Sequence, residues 1–130
     1  MTRGWNRIIK RNNSNNKKTD MEKIETYMPY LRGYDYTGKF PVVIDFFATW
    51  CGPCKALAPQ LERLARDYEG RLKVLKVDID KNTALADAAG IRSVPTLFLV
   101  ALDGTIERHV GGLPYDALTR LADGLLQRSV

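Results

Sequence analysis

Cysteine and histidine are scarce in this chain, with two of the first and one of the second. A structural zinc site takes four ligands, so Cys51, Cys54 and His109 cannot close one, and no metal is expected. Long apolar runs are missing as well. Nothing approaches the roughly 18 unbroken apolar positions of a membrane-spanning helix. Near the start, Ile8-Ile9 is interrupted by Lys10, well short of the roughly 7–15 apolar residues of a secretory core. With no export signal and no second cysteine pair, the expectation is a cytoplasmic, reducing setting without membrane association.

An excess of acid over base is absent too, and the net charge is +5. Its location matters more than its size. Residues 1–20 carry Arg3, Arg7, Lys10, Arg11, Lys17 and Lys18 against Asp20, and the rest of the chain holds equal numbers of basic and acidic side chains. The basicity therefore belongs to a tail and gives the domain no nucleic-acid surface. Residues 10–20 are polar and Asn-rich, too poor in apolar side chains to fold. Arg3, Arg7 and Arg11 share a helical face, which leaves open a weak amphipathic segment for anionic lipid, nucleic acid or targeting. The reading adopted is a disordered extension, or an upstream start with Met21 as the true one. Residues 21–130 are then a single domain, large enough for a core without staples.

What is present is a pair of cysteines two residues apart, in Trp50-Cys51-Gly52-Pro53-Cys54. An apolar run, Pro41 to Ala48, ends just before it and a helical pattern, Lys55 to Glu69, begins just after. If Cys51 caps that helix and Cys54 lies in its first turn, the sulfurs share one face and the Cα atoms are about 5–6 Å apart, within disulfide reach. A ring that small constrains the unfolded chain little, so stapling is a poor explanation. An inert buried pair remains an alternative, although Gly and Pro are poor fillers of a helix interior. A redox-active dithiol fits best.

Along the chain, Ile24, Tyr27, Met28 and Leu31 have helical spacing, with Gly33 as a stop and Pro29 limiting the length. Val42 to Phe47 is apolar on both faces, as in a central strand covered by helices. The helix after the cysteines carries Leu57, Leu61, Leu64, Ala65 and Tyr68 on one stripe and ends at Gly70, with a kink expected at Pro59. Leu72 to Ile79 is a second buried strand, and Asn82 to Ala89 a short helix stopped by Gly90. Thr96–Leu102 and Thr105–Val110 form a hairpin about Asp103-Gly104. Tyr115, Leu118, Leu121, Ala122 and Leu125 mark a C-terminal amphipathic helix. The predicted order is β-α-β-α-β-β-α. Strands joined through a helix should be parallel with a right-handed crossover, and the last hairpin antiparallel.

Val43-Ile44-Asp45-Phe46-Phe47-Ala48-Thr49-Trp50-Cys51-Gly52-Pro53-Cys54-Lys55, Lys76-Val77-Asp78-Ile79-Asp80, Gly90-Ile91-Arg92-Ser93-Val94-Pro95-Thr96 and Val110-Gly111-Gly112-Leu113 together resemble the thioredoxin family. The likeness covers about residues 40–128 strongly and 21–39 weakly. It implies an α/β fold: a central mixed β-sheet with helices on both faces. Two departures stand out. Phe47 occupies a position where the family often has a second tryptophan, and the family's first strand is not evident in residues 21–31.

The chemistry follows in part from the residues and in part from the resemblance. A thiolate at Cys51 is stabilised by the positive end of the helix dipole and by free backbone N–H groups. It is the expected nucleophile. Cys54, one turn in and expected to be more buried, would resolve the mixed disulfide. Asp45 lies in an otherwise apolar strand, where burial should raise its pKa. The resemblance gives it proton transfer with the resolving cysteine, and gives Lys76 as its partner; the alternative for each is an edge residue facing water. By resemblance too, Val94-Pro95 is a cis-proline facing the cysteines and presenting backbone to an extended substrate. Trp50, Gly52, Pro53, Gly111 and Gly112 complete a flat docking face, unless Trp50 is core filler. His109 is expected on the hairpin surface without a catalytic role.

The implied function is a protein disulfide reductase that needs no cofactor of its own. Electrons would come from NADPH through a separate flavoprotein, thioredoxin reductase, and pass to disulfide-containing clients from a monomer. Two competitors are a thiol–disulfide carrier dedicated to one pathway and a scaffold subunit whose thiols are not needed.

Overall fold

In a computed structural model that describes residues 22–129, the chain folds as two short 3-10 turns followed by seven regular elements. The turns are Ile24–Thr26 and Met28–Tyr30. The elements are β1 (Val42–Phe47), α1 (Gly52–Asp67), β2 (Lys73–Asp78), α2 (Thr83–Ala88), β3 (Thr96–Val100), β4 (Ile106–Val110) and α3 (Tyr115–Arg128). The basic segment of residues 1–20 lies outside the described residues.

The four strands form one sheet in the order β2-β1-β3-β4. β1 and β2 are parallel, because the chain returns through α1 before pairing, while β1–β3 and β3–β4 are antiparallel. The β3–β4 connection turns tightly at Gly104, which has a positive φ of 89° and whose N–H bonds back to the Ala101 carbonyl at 2.9 Å.

Strand alternation divides the core in two. On one face Val42, Ile44 and Phe46 of β1 pack with Val77, Phe98 and Val100, and this layer is covered by Ile24, Tyr27, Leu31, Leu85 and Ala89. On the other, Val43, Leu97 and Leu99 meet Leu57, Leu61, Leu64 and Tyr68 of the α1 region and Leu118, Ala122 and Leu125 of α3. Helices thus lie on both faces. Side-chain bonds tie the second layer together. Tyr68 donates to Asp123 at 2.7 Å, and Tyr115 to Asp67 at 2.6 Å.

Three expectations need correction. The helix proposed over Ile24–Leu31 is two separate 3-10 turns, with Pro29 early in the second. Spacings of three and four residues bury Ile24, Tyr27 and Leu31 in either geometry, so periodicity did not separate them; Met28 is exposed. The helix after the cysteines begins at Gly52 rather than Lys55, because Gly52 and Pro53 occupy its first positions, where a missing N–H costs nothing. It continues through Pro59 as one element. The second strand is not a buried one: β2 lies at an edge of the sheet, and only Val77 of its residues is buried. The family's first strand, not evident in the sequence, has no counterpart among the described residues. Instead Lys23 makes a single antiparallel bridge to Thr105, with Ile24 N–H on the Gly104 carbonyl at 2.8 Å. Arg108 fastens this segment: it donates to Glu22 (2.9 Å) and to the Ala89 carbonyl (2.8 Å), and Tyr27 donates to the same Glu22 carboxylate (2.7 Å).

Candidate active site

Parallel pairing brings the C-terminal ends of β1 and β2 to the same edge of the molecule, and the candidate residues gather there. Cys51 leaves β1 with extended backbone and becomes the N-cap of α1. Its Sγ accepts the Cys54 N–H at 3.1 Å, and the two residues are joined as a disulfide with Cα atoms 5.2 Å apart. The cap explains the arrangement: a sulfur replaces the usual hydroxyl or carboxylate at one of the unpaired N–H groups of a helix start. Cys54 was expected to be the more buried sulfur. Both are buried, at 5% and 4% exposure, so depth does not distinguish them. Surroundings do. Cys51 Sγ lies 3.6 Å from the Val94 carbonyl oxygen and sits between exposed Trp50 and exposed Gly52, whereas Cys54 lines a cavity beneath the helix.

The Val94-Pro95 bond is cis. Gly111 N–H donates to the Pro95 carbonyl at 2.9 Å, which fixes the Gly111-Gly112 turn beside the cis-proline. Val94, Cys51, Cys54, Ala48, Phe47 and Ile79 form one small apolar cluster. Trp50 is 67% exposed, which removes the core-filler reading. Its Nε1–H donates to Asp80 Oδ2 at 2.9 Å. Asp80 is a contact that sequence reasoning missed, although a signal existed: residues just beyond two adjacent parallel strands must be neighbours. Val110, 57% exposed beside the Gly111-Gly112 turn, was missed too. His109 lies half-buried in β4, paired in register with Leu97.

Asp45 is fully buried, at 0% exposure, and neither carboxylate oxygen has a hydrogen-bond partner. By strand alternation it shares the face of Val43, the one α1 covers. Lys76 is its register partner on β2, with Nζ 3.8 Å from Oδ2. Burial pushes the Asp45 pKa up to about 6, and the Lys76 ammonium offsets part of that rise. Asp45 is therefore no edge group facing water, whereas Lys76 stands on the edge strand β2 with its side chain 39% exposed. Lys76 and Cys54 also line a common cavity of about 300 Å³, together with Phe47, Ala48, Thr49, Lys55 and Ala58.

A capped cysteine joined to a partner one turn away, beside an open face, can do thiol–disulfide exchange. The comparisons with known proteins agree. Residues 35–123 match the family model described as Thioredoxin. The thioredoxin of Borreliella burgdorferi is 40% identical over 88 residues, covering 68% of this chain and 75% of the relative. That of Pseudomonas aeruginosa is 46% identical over 84 residues, covering 64% and 77%. Among solved structures, chloroplastic thioredoxin z superposes with a TM-score of 0.61 at 34% identity, covering 66% of this chain and 78% of that one. With the fold, the joined cysteine pair and these relatives in agreement, the chain belongs to the thioredoxin family, whose members are protein disulfide oxidoreductases.

Proposed function

We propose that Cys51 is the attacking thiolate of a protein disulfide reductase and Cys54 its resolving thiol. The observation that carries this assignment is the capping contact, with Cys51 Sγ on the Cys54 N–H at the head of α1. In the reduced protein the same N–H and the helix dipole favour negative charge on Cys51. The Cys51 thiolate attacks one sulfur of a client disulfide. A bond forms between Cys51 and that sulfur, and the other client sulfur leaves as a thiolate and takes a proton. Asp45, as carboxylate, accepts the Cys54 proton. Cys54 then attacks Cys51 Sγ, the intramolecular disulfide forms, and the second client thiolate departs. The protein loses two electrons and the client gains them.

Trp50, Gly52, Pro53, Val94, Pro95, Gly111 and Gly112 supply the docking face, where client backbone pairs beside the cis-proline. Lys76 tunes Asp45. The dithiol needs no bound cofactor. Its electrons come from NADPH through a separate flavoprotein, thioredoxin reductase. Clients are disulfide-bearing proteins; no nucleic acid or membrane takes part, and the protein works as a monomer in the cytoplasm. Residues 21–130 form the redox domain, preceded by the basic segment of residues 1–20. No described helix is long and apolar enough to cross a membrane.

Insulin disulfide reduction with dithiothreitol as electron donor tests the assignment. Cys51→Ser and Cys54→Ser should each abolish turnover, and Cys54→Ser alone should accumulate a client mixed disulfide. Turnover at the wild-type rate in either variant refutes the mechanism.

A further inference from the structure

The pairing of Asp45 with Lys76 is geometrically loose. Nζ and Oδ2 are 3.8 Å apart, neither Asp45 oxygen receives a hydrogen bond, and the lysine side chain is 39% exposed. A lysine that long and that open gains rotamer freedom and hydration by turning to water. Something else holds it in place. The Lys76 Nζ lies 4.7 Å from the centre of the Phe47 ring, and both residues wall the cavity that reaches Cys54. Phe47 precedes the motif by four positions and points, by strand alternation, to the same face as Asp45. Its ring face attracts a cation.

We propose that Phe47 is a positioning residue: its ring holds the Lys76 ammonium beside the buried Asp45 carboxyl and so keeps the proton acceptor for Cys54 charged. This rests on the assignment of Asp45 given above. The surroundings make Lys76 the natural lever. The charged group that acts on the carboxyl is Lys76 on β2; Cys54 and Lys55 of α1 line the cavity that Lys76 also walls. On the other side β3 presents only Leu97, which faces Asp45 in register. The direction of the electrostatics agrees, since burial raises the Asp45 pKa and the Lys76 charge is what lowers it.

The test follows the Asp45 carboxyl carbon by NMR as the full-length oxidised protein is titrated. Phe47→Leu keeps an apolar side chain but removes the ring face; it should raise the Asp45 titration midpoint by about half a pH unit, the size of one modest cation–ring contact. Phe47→Tyr restores the face and should return the midpoint to the wild-type value. In a Lys76→Met background Phe47→Leu should have no effect, because no cation remains to be held. An unmoved midpoint in Phe47→Leu overturns the proposal, as does an equal rise with and without Lys76. The pH profile of client reduction separates the two layers. If Asp45→Asn leaves that profile intact, the role of Asp45 falls, and Phe47 loses its part in catalysis even where the midpoint shifts.

Discussion

The buried carboxyl makes a quantitative prediction about stability. Folding raises the Asp45 pKa from 3.8 to about 6, with burial the larger cause and Lys76 only partly opposing it. In that interval the folded protein holds a proton that the unfolded chain has released. Unfolding stability therefore falls as pH rises through the window from about 4 to about 6 and is level above it. At about 1.4 kcal/mol per pH unit, ionised Asp45 costs the folded state about 3 kcal/mol at pH 7. That is a large share of the 5–15 kcal/mol that holds an ordinary domain together. Asp45→Asn cannot ionise, so its stability relative to wild type should improve by about 2 kcal/mol between pH 4 and pH 7, the rest of the cost having already appeared below pH 4. Urea unfolding of both oxidised proteins at the two pH values, followed by tryptophan fluorescence, measures this directly. Any fixed loss from the buried amide is the same at both pH values and cancels. A difference between variant and wild type that stays constant across the window refutes the reasoning. Such a cost in the core is expected where a group is kept for chemistry rather than for stability.

Two further outcomes bear on the scaffold. Leu61→Ala removes a side chain that is 1% exposed in the layer between the sheet, α1 and α3. It should lower unfolding stability by about 2–5 kcal/mol in the same urea assay, and a loss well under 1 kcal/mol would show that the site repacks. Arg108→Ala strips the donor shared by Glu22 and the Ala89 carbonyl. It should cost about 1–3 kcal/mol and speed amide exchange at Ile24 and Tyr27 ahead of β1 and β3; uniform exchange across the chain would contradict the fastening role.

What could be read from the chain alone is what short-range physics dictates. A run apolar on both faces, Val42–Phe47, has to lie between two covering layers, and the stripe of Leu57, Leu61 and Leu64 has to belong to a helix that covers one of them. Two cysteines three positions apart at the head of that helix have to share a face. The sequence also singled out Asp45, because a carboxylate in such a run is conspicuous. What it left undecided depends on partners distant in sequence. The 3-10 turns at Ile24–Tyr30 carry the same spacing as a helix, and only their seat on Gly104 and Arg108 selects between them. Asp80 meets Trp50 because β1 and β2 are parallel, and Lys76 stands over Phe47 because register places it opposite Asp45. Residue type and spacing thus determined the chemistry available to this protein. The through-space fields that tune it, a cation over a ring and a carboxyl enclosed in the core, came into being only when the sheet assembled.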